Sequence, residues 1–370
     1  MRVNWRRPGL IRLWAYLLTA IVSVNGLRAQ ESSPFGINVH APSGALLNSR
    51  FDKIEAAGIG WVRIDFVWAL IEQQPGVYDW SLYDEIVFAA QLRGLQVLAI
   101  IAYTPAWATD GPAISGVPRN VTDWEDFCFR SAGRYRQAIR YWEIWNEPNQ
   151  PHFWDGSRGA YIDRILRPAA DAIRVANPDA RVGGPGLAHL VSGDRDWYFW
   201  LLEVLEQAAD RLDFATHHLY DSDGHEDVTT KLEAETFFGQ IPELWSLVPP
   251  SVREVLVAAE WFGDPTWLTE TGWASDEVGE VAQATYYEGL LAQWLTGDPF
   301  RDWIDKILFY EIQDDPSPGI PLWGILRTNG SVKPAYVAYR DFIGRDPLDA
   351  IFLDGFESGD LSAWSRVVPE

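Results

Sequence analysis

Apolar residues follow two alternating patterns along this chain: short runs that are apolar almost throughout, and longer segments in which apolar residues recur every third or fourth position. Gln96–Ala102 (QVLAIIA) is an example of the first and is typical of a parallel strand buried on both faces. Ser81–Gly94 is an example of the second, because Leu82, Ile86 and Ala89 fall on one face of a helix. The chain therefore alternates buried strands with amphipathic helices.

Applied to the whole chain, these patterns predict eight strand–helix units in a row. The predicted strands are Phe35–His40, Trp61–Phe66, Gln96–Ala102, the run that begins at Tyr141, Arg181–Gly184, Asp213–Leu219, Thr266–Thr269 and Lys306–Tyr310. The predicted helices are Asn48–Ala57, Ser81–Gly94, Thr122–Ala138, Arg158–Ala176 with a kink at Pro168, Trp197–Ala209, Thr229–Leu247, Ser251–Glu260, Val278–Leu295 and Ala335–Ile343. This alternation predicts one α/β domain, a (β/α)8 TIM barrel over residues 30–345. An open doubly wound sheet is the alternative, although no glycine-rich phosphate loop follows any predicted strand.

The two ends of the chain depart from this pattern. An arginine-rich start precedes the uncharged apolar stretch Leu13–Val24, and a small residue, Ala29, closes the segment. Residues 1–29 are therefore predicted to be a signal peptide that is cleaved after Ala29, and a retained membrane anchor is the alternative. Residues 346–370 contain several turn-forming residues and no helical period, which predicts a short C-terminal appendage or tail without a catalytic role.

Composition narrows the range of partners. The 370 residues include 52 Asp and Glu against 30 Lys and Arg, for a net charge of -22. Nucleic acid and anionic membrane surfaces need basic patches, so both are disfavoured as partners. No segment other than the predicted signal peptide could cross a membrane, so stable membrane insertion after signal cleavage is not expected. The 20 tryptophans exceed what is usual, and aromatic faces are surfaces on which sugar rings stack. A secreted or periplasmic protein with a carbohydrate partner is predicted.

The stretch Tyr141–Asn149 (YWEIWNEPN) carries the most specific chemistry in the chain. Its apolar run ends at Asn146-Glu147-Pro148, which leaves a carboxylate at the tip of a strand. A second glutamate, Glu270, directly follows the predicted strand Thr266–Thr269. Because the catalytic groups of α/β barrels lie at the carboxyl ends of the strands, the two carboxylates are expected to face each other across one lumen. Glycoside hydrolysis uses such a pair, about 5–5.5 Å apart for retention of configuration and about 6.5–9.5 Å apart for inversion.

Five stretches together resemble the clan A glycoside hydrolases, and within the clan they are most similar to family 39 and its polysaccharide-cleaving relatives. The stretches are FGINVH, WVRIDFVWALIEQQPGVYDW, WEIWNEPN, WLTETGW and GILRTNGSVKPAYVAYRDF, in this order between Phe35 and Ile343. Asn-Glu-Pro alone would be a weak signal, and the specificity comes from the full order. The resemblance implies a barrel whose acid/base and nucleophile follow the fourth and seventh strands.

Carried over residue by residue, the resemblance implies that Glu147 is the general acid/base, Glu270 the nucleophile and Asn146 the partner of the sugar 2-hydroxyl. Tyr220, just after the sixth strand, is expected to hydrogen-bond Glu270, as a tyrosine does in many clan A enzymes. Arg63, at the end of the second strand, is expected to keep the nucleophile ionised by its charge. An equally weighted alternative for Arg63 is a structural ion pair inside the lumen.

Other carboxylates compete less well for these roles. Glu143 shares strand parity with Glu147 but lies deeper in the barrel, where pairing with an arginine is expected. Glu311, Asp314 and Asp315 follow the eighth strand and are the substitutes if Glu270 is not the nucleophile, although a position at the rim or in contact with substrate is favoured.

Histidines and aromatic residues supply the remaining candidates for substrate binding. His40, His217 and His218 lie at strand ends, and either His217 or His218 is expected to orient the nucleophile or sugar while the other packs. The six histidines show no paired ligand spacing, so neither a metal nor a cofactor is predicted. Two or three sugar platforms are expected among Trp68, Tyr103, Trp107, Trp154, Trp273 and Trp323, with Trp273 and Trp107 taken as binding residues.

These observations converge on an exported, cofactor-free, retaining glycoside hydrolase of the β-glycosidase type that acts on extracellular poly- or oligosaccharide by double displacement. A non-catalytic carbohydrate-binding barrel is the alternative from another class, and a transglycosylase that uses the same residues is the third reading. Exopolysaccharide cleavage, β-xylosidase action and other β-glycosidase activities are all compatible with the resemblance.

Overall fold

The computed structural model describes residues 33–40, 44–189, 192–220, 228–295 and 303–344. The predicted signal peptide, residues 1–29, and the predicted tail, residues 346–370, lie outside these ranges. Within them, no helix has both the length and the apolar character that crossing a membrane requires.

Eight parallel strands close into a barrel in chain order, with the first strand paired to the eighth. The strands are β1 (Phe35–Asn38), β2 (Trp61–Val67), β3 (Gln96–Ala102), β4 (Tyr141–Ile144), β5 (Arg181–Ala188), β6 (Phe214–Tyr220), β7 (Thr266–Gly272) and β8 (Ile304–Phe309). The predicted (β/α)8 TIM barrel is therefore confirmed, and the open doubly wound sheet is excluded.

Helices follow the strands and form the outer layer. The longer ones are α1 (Gly44–Ala56), α2 (Ser81–Leu92), α3 (Val121–Arg134), α4 (Arg167–Ala176), α5 (Trp197–Ala208), α6 (Val228–Glu233), α7 (Val252–Ala258), α8 (Glu280–Leu295) and α9 (Pro334–Ile343). Short helical turns lie at Trp68–Ile71, Arg158–Tyr161 and Ser275–Val278, and 3-10 turns lie at Ala106–Ala108, Gly193–Arg195, Ala209–Arg211 and Pro242–Leu244.

Two helix predictions differ from the structure in instructive ways. The predicted irregularity at Pro168 takes the form of a π-helical turn, Ile162–Leu166, directly before α4, since proline has no N–H to continue the regular ladder. The predicted helix Thr229–Leu247 is wrong beyond Glu233. Phe237, Phe238 and Leu247 are 74%, 47% and 77% exposed and Trp245 is buried, so most of the apolar pattern there has no buried face that could stabilise a helix.

Side chains inside the barrel lie in layers, because alternate residues of each strand point inward. The layer near the amino ends of the strands consists of Trp61, Leu98, Phe214, Trp267 and Leu308, with Tyr141 packed against them. The next layer toward the carboxyl ends is polar and charged, with Arg63 on β2 and Glu143 on β4. The aromatic layer closes one end of the lumen, and the charged layer supports the other.

A bulge in β7 determines how Glu270 enters the lumen. The register of β7 shifts by one residue against both β6 and β8 in the region of Thr269 and Glu270. Both consecutive side chains therefore reach the lumen: Thr269 Oγ1 donates a hydrogen bond of 2.9 Å to Glu143, and Glu270 accepts one from Arg63. In a regular strand one of the two would point outward.

Candidate active site

Arg63 lies at the centre of the polar network at the carboxyl end of the barrel. Its Nε donates to Glu143 Oε2 at 2.6 Å, and its Nη1 donates to Asn38 Oδ1 at 2.8 Å and to Glu270 Oε1. Arg63 and Glu143 are 2% and 0% exposed. The contacts of Arg63 fit both readings, since a single guanidinium forms the lumen ion pair with Glu143 and contacts the carboxylate of Glu270.

The second terminal nitrogen of Arg63 organises the β4 and β6 side of the site. It donates to Asn146 Oδ1 at 3.1 Å and approaches His218 Nε2 at 3.0 Å. Because a guanidinium only donates hydrogen bonds, His218 Nε2 acts as acceptor and Nδ1 carries the proton. That Nδ1 lies 2.9 Å from Glu147 Oε1. Arg63 thus connects, directly or through His218, to both predicted catalytic glutamates.

Backbone geometry at the end of β4 presents Asn146 and Glu147 to the lumen. Trp145 and Glu147 have φ of 72° and 43°, in the left-handed region that side chains other than glycine rarely adopt. The ring of Trp145 is fully buried, and its Nε1 donates to the carbonyl of Phe153 at 2.9 Å. Trp145 is therefore part of the scaffold, and the residues that follow it turn over the open end of the barrel.

The two glutamates lie close together in different surroundings. One carboxylate oxygen each of Glu147 and Glu270 and Nδ1 of His218 all lie within 4.8 Å of one another. Tyr220 donates a hydrogen bond of 2.7 Å to Glu270 Oε2, as expected from the sequence. Burial acts to raise the pKa of Glu270, but the Nδ1–H of His218, 3.5 Å from Glu270 Oε2, the charge of Arg63 and the hydrogen bonds from Tyr220 and Arg63 outweigh it, so the pKa is lowered. Glu270 is therefore held ionised.

The same three groups, Glu147, His218 and Glu270, have the donor atoms and spacing that could hold a metal ion. The guanidinium of Arg63 contacts Glu270 and His218 directly, however. A fixed positive charge at this distance opposes the binding of a divalent cation, and it already satisfies the carboxylate. The arrangement fits a carboxylate, Glu270, that is neutralised by Arg63 better than it fits a metal centre.

The adjacent histidines of β6 separate as predicted. His218 contacts the glutamates, whereas His217 Nε2 lies 3.0 Å from His189 Nδ1, and its ring lies 4.9 Å from that of Trp197. Burial lowers the pKa of His217 well below its ordinary value. His217 is therefore a packed, neutral histidine behind the site, and its assignment as a substrate-binding residue is corrected.

A cavity of about 420 Å³ opens above Glu147 and Glu270. Its wall includes the predicted site residues His40, Arg63, Asn146, Glu147, Tyr220 and Glu270. It also includes Asn38, Val39, Asp65, Ile100, Tyr103, Gln150, His152, Phe153, Tyr310 and Trp323. Tyr220, Tyr310 and Trp323 form an aromatic corner, with the rings of Tyr220 and Trp323 centred 5.0 Å apart.

Two tryptophans assigned to substrate binding lie away from this cavity. Trp273 is 3% exposed and packs against Tyr286 and Tyr287 of α8, at ring distances of 5.3 and 6.1 Å. Trp107 donates to the carbonyl of Glu72 at 2.7 Å and packs edge-on against Trp68. Both assignments are corrected, because the loops after their strands fold these rings back toward the helices. Of the six candidate aromatics, Tyr103 and Trp323 line the cavity.

Several lining residues were missed in the sequence, although part of the signal was present. Asn38 and Asp65 lie two residues before His40 and two after Arg63, so strand parity could have found them. Asn38 Nδ2 donates to the carbonyls of Thr269 and Phe309 at 2.9 and 3.2 Å, which ties β1 to β7 and β8 beneath the site. Gln150, His152 and Phe153 lie in a loop whose path no sequence pattern specified.

His40 forms a second, smaller polar cluster at the β1 side of the cavity. Its Nε2 lies 2.8 Å from Tyr310 Oη, and its Nδ1 lies 3.4 Å from Asp65 Oδ2. Glu311 Oε2 is 3.7 Å from the same Nε2. The side chain of His40 is 51% exposed but partly desolvated by its neighbours, which opposes its charge; the hydrogen bond and charge of Asp65, with the charge of Glu311, nevertheless raise the pKa of His40 to about 9. His40 is therefore positively charged at neutral pH.

Comparison with known proteins supports the resemblance seen in the sequence. The family model described as glycosyl hydrolases family 39 matches residues 116–260. A β-xylosidase from Geobacillus stearothermophilus is 21% identical over 237 residues, which are 61% of this chain and 46% of that protein. A β-xylosidase from Caldicellulosiruptor saccharolyticus is 23% identical over 237 residues, 60% of this chain and 46% of its own length. The chain thus spans about half the length of the curated relatives it matches.

Solved structures agree on the fold. A family 39 glycoside hydrolase from Bacteroides cellulosilyticus WH2 superposes with a TM-score of 0.63 at 19% identity, covering 84% of this chain and 63% of that one. A monomeric β-xylosidase from Caulobacter crescentus CB15 has a TM-score of 0.63 at 20% identity, covering 84% and 67%. The chain is therefore similar in sequence to family 39 glycoside hydrolases and shares their barrel.

Proposed function

We propose that this protein is a retaining glycoside hydrolase that cleaves O-glycosidic bonds of poly- or oligosaccharides, with Glu147 as acid/base and Glu270 as nucleophile. The observation that carries the proposal is the close approach of the two carboxylates: one oxygen of Glu147 lies within 4.8 Å of one oxygen of Glu270. A retaining mechanism calls for about 5–5.5 Å between the carboxyl groups, whereas inversion needs room for a water molecule.

In the first step, the ionised Glu270 attacks the anomeric carbon while the bond from that carbon to the leaving oxygen breaks. Glu147 gives its proton to this oxygen, so the leaving group departs as an alcohol and a glycosyl ester remains on Glu270. Arg63 and Tyr220 support this role of Glu270, because their hydrogen bonds hold the carboxylate ionised and fix both of its oxygens.

In the second step, Glu147, now a carboxylate, takes a proton from water as the water oxygen attacks the anomeric carbon. The ester bond breaks, Glu270 leaves as a carboxylate, and the two displacements together retain configuration. His218 orients Glu147 through its Nδ1–H at 2.9 Å. This contact holds the carboxylate in place in both halves of the reaction.

Asn146 is placed to recognise the sugar beside the reacting carbon. Its Oδ1 accepts from Arg63, which directs the amide Nδ2 away from the guanidinium, and the residue lines the cavity. An amide donor here can bind the sugar 2-hydroxyl, an interaction that strengthens in the transition state of glycoside cleavage.

The two alternatives differ in what they require of the site. A non-catalytic sugar-binding barrel has no need for two carboxylates with different partners, one ionised by Arg63 and one held by His218. A transglycosylase would use the same residues with a sugar hydroxyl in place of water, and the products of a reaction in the presence of added sugar acceptor distinguish it.

Chemical rescue tests the assignment of Glu270. Aryl β-glycosides, beginning with the β-xyloside because the relatives are β-xylosidases, are screened with the full chain. For a substrate that is cleaved, Glu270→Gly is expected to lose activity and, with added azide, to release a glycosyl azide of inverted configuration. Azide rescue that yields the retained anomer, or wild-type activity in Glu270→Gly, would exclude Glu270 as nucleophile.

Glu147→Gln supplies the matched test of the acid. Activity on glycosides with poor leaving groups is expected to fall far more than activity on aryl glycosides, because only the former need protonation. Equal losses for both classes, or no loss, would contradict the assignment.

Export is part of the proposal and rests on residues 1–29 alone. The chain expressed with its own N-terminus in a secretion-competent host is expected to be recovered outside the cytoplasm. Its measured mass should be that of a chain whose first residue is Gln30. An intact N-terminus on the recovered protein would favour the anchor.

A further inference from the structure

A second cavity of about 350 Å³ lies beside the catalytic cavity on its β1 and β2 side. The two cavities share Val39, His40 and Asp65 in their walls. The second cavity extends outward from this shared wall between the barrel and helices α1 and α2. Its remaining lining residues are Arg50, Ile64, Val67, Leu70, Leu82, Tyr83, Ile86, Glu311, Gln313, Asp315 and Pro316.

Glu311 is the feature of this cavity that the catalytic mechanism does not use. It is 3% exposed, and no hydrogen bond to its carboxylate occurs within the described part of the chain. Its nearest cation is Nε2 of His40 at 3.7 Å, and that nitrogen is already hydrogen-bonded to Tyr310. Burial raises the pKa of Glu311 to about 7, against the opposing charges of His40 and Arg50. A largely buried carboxyl that no protein group hydrogen-bonds takes its partner from the cavity, either water or a ligand.

The balance of charge in the cavity favours a neutral ligand. Arg50 and His40 bring positive charge, and Asp65 and Asp315 bring negative charge, around the partly ionised Glu311. Arg50 is itself occupied, donating to Gln313 Oε1 at 2.8 Å and to the carbonyl of His40. Neither a phosphate nor a divalent cation finds an excess of opposite charge there.

The lining has the mixed character that a sugar ring needs. Val67, Leu70 and Leu82 present aliphatic surface, while Glu311 and Gln313 present polar groups. A pyranose ring offers C–H groups on its faces and hydroxyl groups around its edge, so a wall of both kinds is complementary to it.

The proposed chemistry determines which end of the substrate reaches this cavity. Glu147 must contact the leaving oxygen, so the leaving group lies on the side of the loop after β4, where Gln150, His152 and Phe153 line the catalytic cavity. The sugar that becomes bonded to Glu270 then points its far end toward His40 and Asp65, the wall common to both cavities.

We propose that the second cavity binds a further neutral sugar residue on the non-reducing side of the cleaved bond, so that the enzyme acts on glycones of at least two sugars. Glu311 accepts or donates a hydrogen bond to a hydroxyl of that residue, and His40 and Asp65 bind the junction between the two rings. This inference rests on the proposed glycoside hydrolase function and specifies the length of its substrate.

The test compares 4-nitrophenyl β-monoglycosides with the corresponding β-1,4-linked diglycosides of xylose, glucose and mannose, using the full chain. For the sugar that is cleaved, kcat/KM for the diglycoside is expected to exceed that for the monoglycoside by on the order of tenfold or more, as one well-placed sugar subsite supplies. Release of nitrophenol together with the intact disaccharide identifies the bond that is cut.

Leu70→Trp fills the cavity from its rim, since Leu70 is 54% exposed and its replacement leaves the barrel core intact. The ratio of diglycoside to monoglycoside kcat/KM is expected to fall toward one. Glu311→Leu, which removes the hydrogen-bonding group, is expected to lower the same ratio. Leu92→Trp, on the outer face of α2 with Leu92 66% exposed, is the matched control and should leave both rates unchanged.

Equal rates on both substrate lengths in the wild type would overturn the inference, as would a ratio that Leu70→Trp and Glu311→Leu leave unchanged. Azide rescue of Glu270→Gly would still succeed in those cases, and the proposed function would stand. Failure to cleave any glycoside, together with failure of the rescue, would overturn both.

Discussion

The two ends of the barrel lumen are built by the same strands and have opposite character. A step of two residues joins the two ends on β2, from Trp61 to Arg63, on β4, from Tyr141 to Glu143, and on β7, from Trp267 to Thr269. The amino end is filled by rings in direct contact, including Phe214 stacked on Trp267 at 4.1 Å. The carboxyl end is filled by charged and polar groups that hydrogen-bond one another. Two residues along one strand are thus enough to pass from a side chain that packs in the aromatic layer to one that belongs to the polar network.

The difference between the two layers indicates that the aromatic layer contributes mainly to stability and the charged layer mainly to the proposed activity. The aromatic layer excludes water and gains its free energy from buried area and ring contacts. The charged layer has taken an arginine and two glutamates out of water, which stabilises the fold little or not at all but presents an ionised carboxylate to the cavity. Changes at the two ends should therefore have separable effects.

Arg63→Met is expected to have the largest effect, because it removes the cation that both Glu143 and Glu270 contact. An unpaired buried carboxylate costs about 3–5 kcal/mol of unfolding free energy, measured by urea denaturation, and glycosidase activity should be lost with it. The double variant Arg63→Met/Glu143→Gln should recover part of the stability and none of the activity. A double variant as unstable as the single one would contradict the pairing.

Trp267→Ala is expected to lower the free energy of unfolding by about 3–5 kcal/mol through the cavity it leaves in the aromatic layer. The kcat of the folded protein should be unchanged, since the layer does not contact the proposed catalytic pair, Glu147 and Glu270. Trp267→Phe retains a ring and should cost less. A large fall in kcat in well-folded Trp267→Phe would show that the two ends are coupled.

Tyr220→Phe removes one hydrogen bond to Glu270 and leaves the aromatic corner in place. A hydrogen bond to a charged group is worth about 1.5–3 kcal/mol, so kcat/KM should fall by roughly ten- to hundredfold. Tyr220 is one of the groups that lower the pKa of Glu270. Because the ionised form is the active one, loss of the hydroxyl should raise that pKa and move the acid limb of the pH–rate profile to higher pH.

The control for this change is Tyr339→Phe, which removes a buried hydroxyl bonded to the carbonyl of Gly36 at 3.0 Å, remote from the glutamates. It should affect stability without shifting the acid limb. If the acid limb of the pH–rate profile stays at the same pH in Tyr220→Phe, Tyr220 does not contribute to the ionisation of Glu270, the proposed nucleophile.

Lys306→Met is expected to have the smallest effect. The ammonium of Lys306 lies 4.5 Å and 5.2 Å from the ring centres of Trp61 and Trp267, so its loss should cost about 0.5–2 kcal/mol of stability. Lys306→Arg keeps the charge and should retain more of that stability. The wild type, Lys306→Met and Lys306→Arg should have the same activity at neutral pH. A change in kcat would show that the aromatic end of the lumen influences the proposed active site.

Much of the fold was readable from the sequence because its signals are local. All eight strands and most helices were found from runs and periods of apolar residues, and β3 matches its prediction residue for residue. The helix prediction after Glu233 was wrong because Phe237, Phe238 and Leu247 are exposed, and an apolar pattern does not distinguish a buried face from a surface one. The assignment of Trp107 and Trp273 to substrate binding was wrong for a related reason, since the path of a loop determines whether a ring faces the cavity or the core.

The sequence by itself determined the barrel, the strand ends that carry Glu147 and Glu270, and the Arg63 and Tyr220 positions, because alternation and order along the chain are one-dimensional properties. The tertiary structure decided which neighbours these groups have. A one-residue bulge turns Glu270 inward beside Thr269, and left-handed backbone at Trp145 and Glu147 turns Glu147 over the lumen. Such local departures from regular geometry are stable only where packing and hydrogen bonds from distant segments hold them, and that information appears when the chain is folded.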